Sequence, residues 1–162
     1  MNRFCLRFGS ILVLFGWMGL LPLLSGTEII RATARFHEGE FFQSVGEFLT
    51  GRQSEADRMV VRSQPEARTG LYFQLALSDV AMDWPGETEI VLLLWPPNGT
   101  ELRRFQFPFV SMGRRYDDLW LGLTGSDWPR PGTYPVAWRI EVRTPAGTIL
   151  TDWNSFLWQL PE

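Results

Sequence analysis

The sequence has no lysine, and all fifteen basic residues among its 162 are arginine. Lysine Schiff bases and a phosphate-loop lysine are therefore excluded. Cysteine occurs once, at Cys5, and histidine once, at His37. The chain thus has no internal disulfide, no multi-histidine zinc site and, after residue 27, no cysteine nucleophile. We expect neither a metal site nor a cofactor.

Basic residues are also fewer than acidic ones. After residue 27, thirteen arginines stand against eighteen acidic residues, which leaves a formal charge of −5. Nucleic-acid-binding domains carry an excess of positive charge, so this balance argues against a nucleic-acid partner. The adjacent arginines at 103–104 and 114–115 are local exceptions, which we interpret as solvent-exposed strand ends.

An uncharged apolar segment occupies the start of the chain. Residues 8–27 contain no ionisable side chain, while Arg3 and Arg7 precede them and Glu28 and Arg31 follow. A helix of about 20 apolar residues crosses about 30 Å of hydrocarbon. Arginines before such a segment orient the N-terminus to the cytoplasm. The sequence therefore predicts that the chain from residue 28 onward is extracytoplasmic, in the periplasm or at the cell surface.

Two interpretations of residues 1–27 remain open. A secretory signal peptide would be cut after Gly26, although Leu24 lies where a small side chain is usual. A retained anchor would keep the apolar helix in the bilayer, and its length permits this. The residues expected to contact the membrane are Phe8, Ile11, Leu14, Trp17, Leu21 and Leu24.

The second half of the chain has the patterns of β-strands. Apolar residues alternate with others at 71–77 and at 136–142, as in half-buried strands. Residues 89–95 are apolar at nearly every position, which predicts a strand covered on both faces or lying centrally. Residues 105–109 also alternate, but Pro108 cannot donate to a ladder. We therefore expect that strand at a sheet edge.

Turn residues separate these strands. Proline and glycine within 83–86 suit a type II turn, and Asn98-Gly99 within 97–100 is a strong hairpin signal. Further turns at 130–132 and 145–147 bracket a strand at 133–143. Turns at such short spacing indicate antiparallel pairing.

The segment before residue 69 differs from the rest. Residues 29–36 and 58–62 predict short strands. Between them, a helical stripe of apolar residues ends before Gly51 and predicts a short amphipathic helix over residues 39–50. The stripe consists of Phe41, Phe42, Val45, Phe48 and Leu49.

The expected fold is an all-β, antiparallel two-layer β-sandwich preceded by the hydrophobic helix and the short amphipathic helix. We divide the chain into a signal peptide or signal anchor at 1–27 and an N-terminal strand, helix and loop at 28–68. Residues 69–162 then form the main part of the sandwich domain. The 136 residues left after position 26 are enough for a core without disulfides.

The last predicted hairpin carries a resemblance. Residues 128–136 have the sequence Trp-Pro-Arg-Pro-Gly-Thr-Tyr-Pro-Val, and Pro-Ala-Gly-Thr follows at 145–148. This pattern resembles the closing hairpin of bacterial extracytoplasmic immunoglobulin-like and fibronectin-III-like domains. The resemblance covers about residues 69–158 and concerns the style of the fold. It implies adhesion, assembly or ligand presentation, and it transfers no catalytic residue.

The candidate binding residues are aromatic or arginine. Trp84 and Trp128 each precede a proline in a turn, where an indole can stack on a sugar or anchor a protein contact. The alternative is that both fold back to cap the ends of the sandwich. A third group of candidates is the consecutive Arg114, Arg115 and Tyr116, whose residue types are enriched at interface hot spots.

Catalytic candidates are few. Asp117 and Asp118 are adjacent, so on a strand their carboxylates point to opposite faces. His37 has no serine in a nucleophile elbow to assist. We therefore expect no enzyme, but a protein that makes protein–protein contacts as an accessory subunit of a membrane or envelope complex. A carbohydrate-binding module using the turn tryptophans, and a small acid-dependent hydrolase, are the alternatives.

Overall fold

The computed structural model describes residues 26–42, 59–78, 84–85, 87–109 and 118–159. These residues are mainly β-strands. The strands are β1 (Ile29–His37), β2 (Met59–Arg62), β3 (Gly70–Leu77), β4 (Thr88–Trp95), β5 (Arg103–Phe109), β6 (Asp118–Thr124), β7 (Ala137–Arg143) and β8 (Ile149–Asn154). Short 3-10 helices lie at Gly39–Phe42 (η1), Gly125–Asp127 (η2) and Phe156–Gln159 (η3).

The described strands form two four-stranded sheets. The first sheet has the order β1-β3-β6-β2, and the second has the order β5-β4-β7-β8. The pairings are antiparallel except that of β2 with β6, which is parallel and sets Met59 beside Leu119. The expected antiparallel sandwich is therefore corrected at β2, which pairs in parallel. A tight turn determines only how two strands adjacent in the chain pair. β2 and β6 are neighbours in the sheet but are separated in the chain by three other strands.

Both sheets contribute to one hydrophobic core. Alternate residues of each strand point inward because the side-chain period of a strand is two. The fully buried members are Leu71, Phe73 and Leu75 of β3, Ile90, Leu92 and Leu94 of β4, Leu119, Leu121 and Leu123 of β6, and Ile140 and Val142 of β7. The sheets thus pack face to face across these side chains.

Two predictions about the second sheet are confirmed. The apolar strand β4 is central, between β5 and β7, and Val91 on its outer face is as inaccessible as its core residues. Strand β5, which contains Pro108, lies at the sheet edge. A proline in the ladder is tolerated there because only one side of an edge strand is paired.

The predicted β4–β5 hairpin forms, and its loop is longer than the predicted turn at residues 97–100. Its loop occupies residues 96–102, and its turn is closed by the Gly99 amide, which donates to the Pro96 carbonyl at 3.3 Å. Gly99 is not among the glycines with positive φ in the described residues. Two consecutive prolines end the ladder at Trp95, because neither has an N–H to donate, so Asn98-Gly99 lies within a longer loop.

The N-terminal segment is described in part. Strands β1 and β2 occupy the predicted positions. Of the amphipathic helix predicted over residues 39–50, the structure describes only residues 39–42, which form the 3-10 helix η1. In it the Phe41 amide donates to the Glu38 carbonyl at 3.0 Å. Residues 43–50 of that prediction lie outside the described residues.

The hydrophobic helix predicted for the leader also lies outside the described residues, as do all six of its predicted membrane-contacting side chains. In the part of the chain that the structure describes, no helix is long and apolar enough to cross a membrane.

Candidate binding surface

Trp128 is buried, with 4% of its surface exposed. It follows η2 in the loop that leads to β7, and it belongs to the hydrophobic core. Its indole Nε1–H donates to the Thr133 carbonyl at 3.1 Å, which closes this proline-rich loop on itself. A buried indole usually finds such a partner for its N–H.

Trp84 is also buried, with 5% of its surface exposed. Its Nε1–H donates to the Thr27 carbonyl at 2.9 Å, and its ring meets Phe109 edge to face at 5.3 Å between centroids. Both predicted binding tryptophans therefore have the geometry of the capping alternative. Neither presents an open indole face.

The two tryptophans also lie far apart. Trp128 follows the end of β6 that pairs with Gly70, at the start of β3. Trp84 lies beyond Leu77, at the other end of β3, and bonds the segment that enters β1. Seven steps of about 3.4 Å separate these two ends of β3. The structure thus assigns Trp84 and Trp128 to opposite ends of the sheets.

Among the other predicted site residues, Asp118 is described by the structure. Arg114, Arg115, Tyr116 and Asp117 lie outside the described residues. Asp118 opens β6 and accepts a hydrogen bond from Gln74 Nε2 at 2.8 Å, an ordinary link between neighbouring strands. Within the described ranges, no group of three or more histidine, cysteine or acidic residues could hold a metal ion.

His37 belongs to an aromatic cluster on the outer face of the first sheet. Its ring stacks on Phe41 with 4.1 Å between centroids, and Trp120 lies 5.5 Å away. Phe42 and Tyr72 complete the cluster, with their centroids 4.3 Å apart. The spacing of the phenylalanines predicts a helix and not this cluster, because their partners Tyr72 and Trp120 come from β3 and β6.

A polar network on the outer face of the second sheet was also missed. Alternation predicts Glu141 on a solvated face, yet only 3% of it is exposed. Its carboxylate lies 2.9 Å from Arg139 Nε and pairs with Arg143 on its other oxygen. Arg139 in turn reaches Asp152 on β8, with 3.3 Å between Nη2 and Oδ2. Buried charges in proteins are usually paired in this way.

An apolar surface, here called the apolar end, lies where β4 stops and β7 begins. The Val136 amide donates to the Trp95 carbonyl at 2.8 Å, and the Ser155 amide donates to the Trp138 carbonyl at 2.9 Å. These bonds bring the loop before β7 and helix η3 to the same end of the second sheet. Its exposed apolar residues are Trp95, Leu102, Tyr134, Val136, Phe156 and Leu157.

A groove of about 360 Å³ adjoins the apolar end. It lies between the β4–β5 loop and the loop that follows η2. Its lining includes Pro96, Pro97 and Pro129 together with Trp128. Proline rings and an indole held by its own hydrogen bond make these walls stiff.

Two arginines line the same groove. Arg103 Nη2 lies 4.0 Å from Asp127 Oδ1, and Arg103 Nη1 donates to the Asp127 carbonyl at 3.3 Å. Its guanidinium carbon also stands 4.8 Å from the centre of the Phe105 ring. Arg130 is exposed and makes no ion pair with another described residue. The groove therefore combines an apolar lining with two guanidinium groups and a single carboxylate.

Comparisons of the chain with protein-family models, curated proteins and solved structures each give no match.

Proposed function

We propose that the chain is a non-catalytic, extracytoplasmic β-sandwich protein that acts by contacting another protein, as an accessory subunit of a membrane or envelope complex. The observation that carries the proposal is the apolar end, where six large apolar side chains are exposed at one end of the second sheet. Exposed apolar surface grouped in this way is typical of interaction sites.

The proposed fold is an immunoglobulin-like or fibronectin-III-like sandwich. Its support is the strand order, in which β3 pairs with β6 in one sheet and β4 pairs with β7 in the other. The chain thus passes from one sheet to the other after β3, after β5 and after β6, and such crossings between sheets are typical of immunoglobulin-type sandwiches. The leader helix and the amphipathic helix are part of the same proposal.

A protein partner is favoured over a sugar by the composition of the apolar end. Phe156, of which 79% is exposed, and the aliphatic Val136 and Leu157 suit the apolar core of a protein interface. Sugar binding would need open indole faces. Trp84 and Trp128 offer none, and Trp95, of which 39% is exposed, is the most exposed tryptophan among the described residues and the platform for the carbohydrate alternative.

A hydrolase is the weaker alternative. Its acids would have to converge on one substrate bond. Asp118, the one member of the predicted pair that the structure describes, is engaged with Gln74.

Site-specific photo-crosslinking tests the proposal. A photoreactive amino acid replaces Phe156 in cells that make the protein, and a second variant carries it at Gln106 as the matched control. Gln106 is also exposed and lies on the second sheet, on edge strand β5. We expect a discrete protein adduct from position 156 and none from position 106. Equal labelling at both positions, or no adduct at either, would contradict the proposal.

The carbohydrate alternative has its own measurement. A glycan array probed with the mature protein should give no specific signal. A signal that disappears in Trp95→Ala would favour sugar binding instead.

A further inference from the structure

We propose that the groove between the β4–β5 loop and the loop after η2 binds an acidic peptide segment of the partner protein, with Arg103 and Arg130 receiving its carboxylates. This inference rests on the proposed function, because it supplies a peptide-binding site beside the apolar end. It adds the chemistry of the partner and names the residues that recognise it.

The shape of the groove suits a short peptide better than a folded domain. A volume of about 360 Å³ lies at the lower end of the range for ligand sites and accommodates a few side chains. Proline fixes the backbone in both loops, and the Trp128–Thr133 hydrogen bond fixes the indole. A site with stiff walls loses little conformational entropy when it binds.

The charge of the groove selects an acidic ligand. Its two arginines outnumber its single carboxylate, Asp127, although the whole chain has a formal charge of −3. The Arg103–Asp127 pair is long and its arginine side chain is 41% exposed, so the pair contributes little and competes weakly with a ligand carboxylate. Arg130 has no ion pair among the described residues to give up.

Arg103 is also held in position to receive a carboxylate. The Asp127 carbonyl and the Phe105 ring hold its guanidinium from two sides. A guanidinium has five N–H donors, so one bond to a carbonyl leaves enough for a two-point contact with a carboxylate. Such a contact needs a planar fork, which a lysine lacks.

Neighbouring residues indicate a peptide rather than a small carboxylic acid. Two exposed residues of the apolar end are adjacent in sequence to the groove lining. Leu102 directly precedes Arg103, and Tyr134 directly follows Thr133. A segment with its carboxylates on Arg103 and Arg130 would continue onto these side chains. A second groove of about 400 Å³ shares Pro129 but contains Glu38 and Glu40, which disfavour an acidic ligand on that side.

Selection from a random octapeptide display library on the full mature protein tests the proposal. We expect enriched peptides to contain two or more Asp or Glu residues together with apolar ones. Each of Arg103→Gln and Arg130→Gln should weaken the Kd of an enriched peptide about tenfold, the loss expected for one charge-assisted contact. Replacing the acids of that peptide by Asn and Gln should have a similar effect.

Arg104→Gln is the matched control. Arg104 is adjacent to Arg103 and exposed, but it is not part of the groove, and it pairs with Glu89 at 4.0 Å. Its substitution should leave the Kd unchanged. Arg103→Lys keeps the charge but not the fork, so its Kd should lie between those of the wild type and Arg103→Gln.

Several results would overturn the inference. One is that the enriched peptides contain no Asp or Glu, and another is that Arg104→Gln weakens the Kd as much as Arg103→Gln does. A third is that the wild type enriches no peptide beyond those enriched on the Arg103→Gln/Arg130→Gln double variant. The fourth is that succinate displaces an enriched peptide at the same concentration as the unlabelled peptide does. The last result would indicate a small dicarboxylate as the ligand. Cross-linking at Phe156 is measured separately, so an adduct without acidic-peptide binding would refute this inference and leave the proposed function intact.

Discussion

Trp84 and Trp128 perform the same task at opposite ends of the sheets, since each donates its indole N–H to a backbone carbonyl of an entering or closing segment. Trp84 donates to Thr27, two residues before β1, and Trp128 donates to Thr133 in the loop before β7. Each loop tryptophan thereby joins its loop to the common core.

Replacing either tryptophan by alanine should destabilise the protein by about 3–5 kcal/mol, the cost of removing a large buried aromatic side chain. Trp84→Phe keeps an aromatic ring but removes the buried N–H···O bond from the indole to the Thr27 carbonyl, so a loss of about 2 kcal/mol is expected. Urea unfolding followed by circular dichroism measures both. Trp95→Ala, at a 39% exposed position, is the control and should cost less than about 1 kcal/mol. A similar loss in all three would show that these indoles are not caps.

The network around Glu141 gives a second stability prediction. Glu141→Ala removes a buried carboxylate that two arginines share, so Arg139 and Arg143 lose their common partner. Both arginines keep some access to water, and we therefore expect a loss of about 1–3 kcal/mol rather than the cost of a fully buried pair.

Glu89→Ala provides the comparison for Glu141. Its pair with Arg104 is 4.0 Å long and half exposed on the arginine side, so its loss should cost less than about 0.5 kcal/mol. Chemical denaturation of both variants at the same salt concentration measures the loss of unfolding free energy in each. Equal effects would show that burial of Glu141 contributes nothing.

Much of the second sheet was predictable from local patterns. An apolar run identified β4 as central, and Pro108 identified β5 as an edge strand, because both signals depend only on a strand and its nearest neighbours. The parallel pairing of β2 with Leu119 and its neighbours was not predictable in this way. That pairing joins segments about sixty residues apart, and no turn links them.

Less of the candidate site was predictable from the sequence. A tryptophan before a proline in a turn is compatible with exposure and with burial, and only the tertiary position of Thr27 or Thr133 decides between them. The sequence predicts Arg103 only as a strand-end arginine. The role proposed for it depends on Asp127 of η2 and on Arg130 in the loop that follows, which no local spacing relates to β5.

Gly70 gives a prediction about close packing between β3 and β6. A Cβ at this position would lie within 3 Å of the backbone of Leu123 and Thr124, which cannot move aside as a flexible side chain would. Gly70→Ala should therefore cost about 3 kcal/mol or prevent folding. Thermal unfolding and the yield of soluble protein are the measurements.

Gly147→Ala separates steric overlap from backbone strain. Gly147 has a φ of +86° but no atom within 4 Å of an added Cβ. Its substitution should cost about 1–2 kcal/mol through the left-handed backbone alone. A loss in Gly70→Ala no greater than in Gly147→Ala would contradict the predicted overlap.

The boundary between leader and domain can be tested at Thr27. A cut after Gly26 would leave Thr27 as the first residue, and its carbonyl would still accept the Trp84 N–H. Glu28 and Ser78 exchange two hydrogen bonds of 2.8 Å just beyond it. A chain that starts at Thr27 should therefore unfold at the same urea concentration as the natural mature protein.

A chain that starts at Ile29 loses all three bonds and should be less stable by about 2–3 kcal/mol. N-terminal sequencing of the mature protein then identifies its form, with a start near Thr27 for a released domain and at Met1 or Asn2 for an anchored one. Protease added to intact spheroplasts should digest either form, because both are expected outside the cytoplasm. Full protection from protease, with release only on lysis, would contradict the predicted location.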